Sequence, residues 1–121
     1  MLSSNSHLST LVLTLEADGT LIAVDISRWP DKAAPAPVTL LSGMNHPAGV
    51  SLSCDGNFYI ANRQDRSIVR SPAPSREQLF SSIPSTFVPH KVDKLDVFIS
   101  GLTDEPEQVL LMDSELNGSC S

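Results

Sequence analysis

The segment from His46 to Arg70 constrains the fold of this chain most strongly, because it packs several strand-like runs into a short length. Its sequence is HPAGVSLSCDGNFYIANRQDRSIVR, and three runs stand out within it: Ala48–Ser53, Asn57–Ala61 and Arg66–Arg70. An Asp-Gly turn separates the first two runs, which is the strongest short-range signal for a β-hairpin. The segment therefore predicts a small antiparallel sheet, and such a sheet needs partners to bury its faces.

The remainder of the chain supplies further strand-like runs and almost no helix. Prolines exclude helix from the long segments between the runs, and one helical turn is predicted at Ser75–Phe80. No amphipathic helix of ordinary length is present. The sequence therefore predicts an all-β fold. The additional predicted strands are Leu11–Leu15, Thr20–Ile26, Val38–Leu41, Leu95–Ser100 and Gln108–Met112.

Composition limits the class of protein. The chain has 121 residues, 40% of them hydrophobic, and a formal net charge of −6, which fits one folded domain. Its few basic residues are scattered, so nucleic-acid binding is not expected. The first apolar run is too short to span a membrane and lacks a basic leader. A soluble protein without a clear signal peptide is expected, with the cytoplasm slightly favoured and residues 1–9 disordered.

Some sequence features leave alternatives open. Cys54 and Cys120 match no metal-ligand spacing, and the sequence does not decide whether they pair. Asn117 begins a glycosylation sequon, which matters only if the chain is secreted. Half of the 14 acidic residues lie between positions 93 and 115. That stretch is either a solvated acidic rim or a surface for a cation or a basic partner.

The strands also repeat along the chain. Thr20-Leu21-Ile22 matches Arg66-Ser67-Ile68, at a spacing of 68 − 22 = 46 positions. Leu41-Ser42-Gly43-Met44 matches Ile99-Ser100-Gly101-Leu102, at 101 − 43 = 58 positions. A period in the forties with four strands per unit is typical of β-propeller blades.

This alignment makes Leu11–Leu15 the second strand of its unit. A rival alignment pairs Asp18-Gly19 with Asp55-Gly56 and makes Leu11–Leu15 a first strand. The former alignment is preferred, because it accounts together for both Ser-Gly pairs and for the prolines, Pro47 and Pro106, that follow them.

The segment His46–Arg70 resembles an NHL repeat. The resemblance rests on Pro47-Ala48-Gly49-Val50, Asp55-Gly56-Asn57, Tyr59-Ile60-Ala61-Asn62 and Arg66-Ser67-Ile68, with Asn62 standing where the family usually carries aspartate. The later stretch VFISGLTDEPEQVLLMDS is similar to strand junctions of six-bladed propellers of the sugar-dehydrogenase, strictosidine-synthase-like and gluconolactonase types.

The resemblance implies an incomplete β-propeller of about two to two and a half antiparallel four-stranded blades over residues 10–118. Blade one would cover residues 10–43, blade two residues 44–102, and the start of blade three residues 103–118. Such a chain is either a fragment of a larger propeller or a protein that self-associates through exposed blade faces.

The resemblance also suggests where a ligand would bind, since propellers usually bind through the loops at one end of their blades. A non-catalytic segment that binds a protein or a small ligand through these loops is expected, with no cofactor and no catalytic or metal-binding residue assigned. The alternative is a fragment of a metal-dependent lactonase-type hydrolase that uses a divalent cation. No catalytic sequence motif is present, and Asp18 and Asp55 are expected to form turns at the opposite end. The candidate ligand-binding residues are Asn45, His46, Asn62, Arg63, Asp104, Glu105 and Glu107.

Overall fold

Two four-stranded sheets make up the fold in a computed structural model that describes residues 10–27, 36–81 and 86–112. The first sheet has the order β1-β2-β3-β7 and the second has the order β4-β5-β6-β8. All neighbouring strands are antiparallel except β3 and β7, which are parallel. The all-β prediction is confirmed, whereas the assignment of these sheets to a propeller stays a prediction. The strands are β1 Thr10–Leu15, β2 Thr20–Asp25, β3 Val38–Ser42, β4 Pro47–Leu52, β5 Asn57–Asn62, β6 Ser67–Pro72, β7 His90–Lys91 and β8 Val97–Ile99.

The segment between β6 and β8 contains two short helices. Helix α1 (Arg76–Phe80) begins at a capping box in which the Ser75 hydroxyl accepts from the Gln78 backbone N–H. This helix confirms the predicted helical turn. Lys94–Asp96 forms a 3₁₀ turn, so β8 is shorter than the predicted strand Leu95–Ser100. None of the helices in the described ranges is long and apolar enough to cross a membrane.

Two strand assignments differ from the prediction because strand pairing depends on a neighbour. His90–Lys91, predicted as loop, forms β7 because it reaches the outer edge of β3, where Leu41 pairs with His90. Gln108–Met112, predicted as a strand, forms none, because it pairs with no strand of the described residues to complete a ladder. Cys54 is disulfide-bonded, and Cys120 lies outside the described residues, as do the predicted disordered segment 1–9 and the sequon at Asn117.

The strand pairing of the first sheet recurs in the second. Strands β1 and β2 pair over their full lengths around the turn between Leu15 and Thr20, and β5 and β6 do the same around the turn between Asn62 and Ser67. The corresponding positions are separated by 62 − 15 = 47 residues. The spacing of 46 from the sequence was therefore wrong by one residue.

Strands β3 and β8 also hold matching positions in the two sheets. Leu21 pairs with Leu41 in the first sheet and Ile68 with Ile99 in the second, and each pair is followed by a register shift at the next position. The spacing of 99 − 41 = 58 residues from the sequence is confirmed. Strands β1-β2-β3 therefore correspond to β5-β6-β8. The rival pairing of Asp18-Gly19 with Asp55-Gly56 is wrong, and β4 has no counterpart in the described part of the first sheet.

The main core lies between the two sheets, and β5 is buried on both of its faces. Phe58 and Ile60 face the core shared with the first sheet, and Tyr59 and Ala61 belong to a second cluster on the other side. A strand buried on both faces has no polar alternation, which explains the continuous apolar run in β5. The main core consists of Leu21, Ala23, Val38, Leu40, Leu41, Met44, Phe58, Ile60, Val69 and Leu79.

Candidate functional site

The turn after β5 and the segment before β4 are joined by the side chain of Asn62, which is 2% exposed. The Asn62 Oδ1 accepts from the backbone N–H of Asn45 at 2.7 Å, and its Nδ2 donates to Asp65 at 3.1 Å. Asn45 Nδ2 donates to the same carboxylate at 3.2 Å. An aspartate at position 62 would lose the donor and face the Asp65 carboxylate, so the amide is the side chain that this network requires.

Arg63 lies at the centre of the same end of the sheets, between carboxylates from two different parts of the chain. Its guanidinium donates to Glu16, in the turn between β1 and β2, and to Glu105 at 3.3 Å. The hydrogen bond to Glu16 raises the pKa of Arg63 above its ordinary value. The Arg63 Nε is buried without a hydrogen-bond partner in the described residues. Arg63 therefore connects the first sheet to the segment that follows β8.

Backbone hydrogen bonds bring the remaining candidates to this end. The His46 carbonyl accepts from Arg63 N–H at 3.3 Å, and the Glu107 carbonyl accepts from Gly49 N–H at 2.9 Å. Asp104 follows Thr103, whose carbonyl accepts from the Arg66 guanidinium at 3.4 Å. The structure thus places all seven candidate residues at one end of the two sheets. Their part in ligand binding stays a prediction.

Three further residues, Glu16, Asp65 and Arg66, belong to this group and were not among the candidates. Glu16 and Asp65 hold Arg63 and the two asparagines in place. The spacing of 47 residues could have identified Glu16 from the sequence. It aligns Glu16 with Arg63, so that opposite charges stand at the same position of the two corresponding turns. The assignment of Asp18 to the opposite end is wrong, since its turn is the counterpart of the Arg63–Arg66 turn.

We call this group the Arg63 end; it comprises Glu16, Asn45, His46, Asn62, Arg63, Asp65, Arg66, Asp104, Glu105 and Glu107. Its carboxylates outnumber its guanidinium groups, and Asp104, Glu105 and Glu107 are exposed. Much of its hydrogen-bonding capacity is used internally, so the surface that it offers to a partner is mainly an exposed acidic rim.

A pocket of about 380 Å³ lies between the two sheets and α1, lined by residues of β3, β5 and β6 among others. Its polar edge contains His90, whose Nε2 lies 2.8 Å from Asp96 Oδ2. Partial burial raises the pKa of Asp96, but hydrogen bonds from the Asp93 backbone and from His90 outweigh it and hold the pKa below its usual range. Within the described ranges no hydrogen bond joins the pocket residue Ser71 to His90, so this edge holds no assembled nucleophile and base. The lining is Leu40, Leu41, Phe58, Ser71, Pro72, Ala73, Pro74, Gln78, Phe87, His90 and Asp96.

Among residues 10–27, 36–81 and 86–112, no group of three or more histidine, cysteine, aspartate or glutamate side chains could hold a metal ion. No protein-family model, curated protein or solved structure matches this chain. The functional inference therefore rests on the geometry of the Arg63 end.

Proposed function

We propose that the protein is a non-catalytic β-propeller segment that binds a partner through the loops of its Arg63 end. One observation carries this proposal: residues from the β1–β2 turn, the β5–β6 turn and the segment after β8 meet around Arg63. Loops held by a rigid sheet scaffold are the usual place for a binding surface. The internal hydrogen bonds of Asn62 and Arg63 fix the shape of that surface before a partner arrives.

The charge of the Arg63 end indicates the chemistry of the partner. Asp104, Glu105 and Glu107 form an exposed acidic rim, and the whole chain carries a net charge of −6. Such a surface attracts a basic segment of a protein or a small cationic ligand, and the attraction weakens as salt is added. The proposed partner class is therefore basic.

Charge reversal at the rim tests this proposal with a lysine-rich peptide as the probe. In the double variant Glu105→Lys/Glu107→Lys, we expect the affinity measured by calorimetry at low salt to fall about tenfold, which is about 1.4 kcal/mol. The fold should persist, because the surface ion pair between Arg63 and Glu105 contributes little to stability. The wild-type affinity should also fall as salt is raised.

The control is Glu77→Lys, which changes an exposed charge on α1 at the opposite end of the sheets. It should leave the affinity nearly unchanged. If Glu77→Lys weakens binding as much as the double variant does, the peptide senses only net charge and the Arg63 end is not the site. The absence of wild-type binding at low salt would also overturn the proposal.

A metal-dependent hydrolase segment is the alternative, and the oxygen-bearing side chains gathered near Arg63 are the observation in its favour. Asn45, Asn62 and Asp65 are hydrogen-bonded to one another, and Glu105 contacts the same arginine. A metal that binds only the folded state raises its melting temperature. For this alternative, millimolar Ca²⁺ or Zn²⁺ should raise the melting temperature of the wild type, and Glu105→Gln should remove most of the rise. A wild-type melting temperature that metal leaves unchanged contradicts the hydrolase alternative.

A further inference from the structure

The outer edge of β1 is unpaired within the described residues. In the second sheet, the corresponding strand β5 is covered on this side by β4, through pairs such as Val50 with Ile60 and Leu52 with Phe58. The spacing of 47 residues makes Leu11 and Leu13 the counterparts of Phe58 and Ile60. The first sheet therefore has the position for a strand like β4, and no strand of the described chain fills it.

This edge carries none of the devices that usually protect an edge strand. Strand β1 has the sequence TLVLTL, without a charge, a proline or a bulge, and Leu11 is 48% exposed. Exposed apolar edges of this kind pair readily with another strand. The edge is therefore a site for strand addition.

The segment Gln108–Met112 is strand-like in sequence, and it pairs with no strand among the described residues. It reads QVLLM, and Leu110 and Met112 are 79% and 86% exposed. This segment follows a proline, Pro106, and β4 likewise begins at a proline, Pro47. The two segments therefore hold similar positions in the repeat. The sequence of Gln108–Met112 and its position after a proline are those of a first strand.

Strand β4 and the segment after β8 also have corresponding neighbours. Strand β4 lies beside β1, where the Thr14 hydroxyl donates to the Ala48 carbonyl at 2.6 Å. The segment after β8 lies beside β4 in turn, where Gly49 N–H donates to the Glu107 carbonyl at 2.9 Å. A Cβ atom at Gly49 would lie 2.9 Å from that carbonyl oxygen, so only glycine allows this approach. The segments that open successive units of the repeat therefore lie next to each other.

We propose that Gln108–Met112 of one copy of this chain pairs with the outer edge of β1 of a second copy. The added strand would complete β1-β2-β3 in the way that β4 completes β5-β6-β8. The contact joins two different surfaces, so it is head-to-tail and can close into a ring. Each copy holds two sheets, and about two to four copies would therefore form a ring with the number of sheets found in closed propellers.

The test compares two proline substitutions by light scattering over a range of protein concentrations. Proline removes a backbone donor that a strand ladder needs, so Leu111→Pro should raise the dissociation constant of the assembly about tenfold or more. The control Val88→Pro lies in an irregular segment, at a side chain that is 81% exposed, and should leave the assembly intact. Thermal melting should show that both variants remain folded.

Amide hydrogen exchange provides a readout that depends on the strand contact itself. Exchange over Leu11–Leu15 should be slower in the wild type than in Leu111→Pro at equal concentration, because the outward amides of β1 are bonded only in the assembly. A wild type that is monomeric at every concentration would overturn the proposal. So would an assembly that survives Leu111→Pro, or one that Val88→Pro disrupts equally.

Discussion

Replacing Ile60 by aspartate should unfold the protein. Ile60 is fully buried in β5, between Val50 of β4 and Val69 of β6, and it belongs to the core shared by both sheets. An aspartate there would bury a carboxylate without a charged partner, at a cost of about 4 kcal/mol or more. A domain of this size has a total stability of about 5–15 kcal/mol. Far-UV circular dichroism and thermal melting should show the loss of the cooperative transition.

Leu52→Asp provides the control for this substitution. Leu52 is in the adjacent strand β4, but its side chain is 62% exposed. The same chemical change should therefore alter the stability by only about 0.5 kcal/mol. If Ile60→Asp melts like Leu52→Asp, β5 is not the strand that both cores share.

Replacing Gly19 by alanine should produce the second large loss of stability. Gly19 has a φ of 69°, and a Cβ atom there would lie 2.2 Å from the Met44 carbonyl oxygen. The two backbones would have to separate, which would break the 3.1 Å hydrogen bond from Met44 N–H to the Gly19 carbonyl. We expect a loss of about 3 kcal/mol, from left-handed strain together with the broken contact. Urea unfolding would measure it.

Gly56→Ala separates the effect of left-handed strain from the effect of the close contact with Met44. Gly56 also has a positive φ, of 87°, but no atom lies within 4 Å of the place where its Cβ would stand. Its replacement should cost only the conformational strain, about 1 kcal/mol. Arg66 occupies the turn position that corresponds to Gly19, with a φ of 51°, which shows that a side chain can stand at this turn position when space permits. Equal losses in the two glycine variants would contradict the close approach of Met44.

Local sequence signals located most of the strands. The hairpin around Asp55-Gly56, the apolar run in β5 and the helical turn of α1 all lie where the sequence predicted them. These features depend on side-chain patterns and turn residues within a few positions. The two Ser-Gly pairs also predicted the spacing between β3 and β8. Both turns need a residue with positive φ, which Gly43 and Gly101 supply.

The candidate site was predictable in its location and not in its contacts. The sequence placed Asn45, Asn62, Arg63 and Glu105 at one end of the sheets, where the structure has them. It missed Glu16, because the partner of Arg63 comes from a distant turn that only the packing of the two sheets brings near. It also missed Asp65, which accepts hydrogen bonds from both asparagines.

The sequence by itself determined an all-β chain, the positions of its main strands and a repeat that is correct to within one residue, since turn chemistry and hydrophobic pattern are local properties. The tertiary structure alone decided which of those runs become strands in a sheet. A β-strand needs hydrogen bonds from a neighbour, so His90–Lys91 became a strand at the edge of β3, while the better strand-like sequence Gln108–Met112 did not. The same requirement leaves the outer edge of β1 unpaired within the described chain.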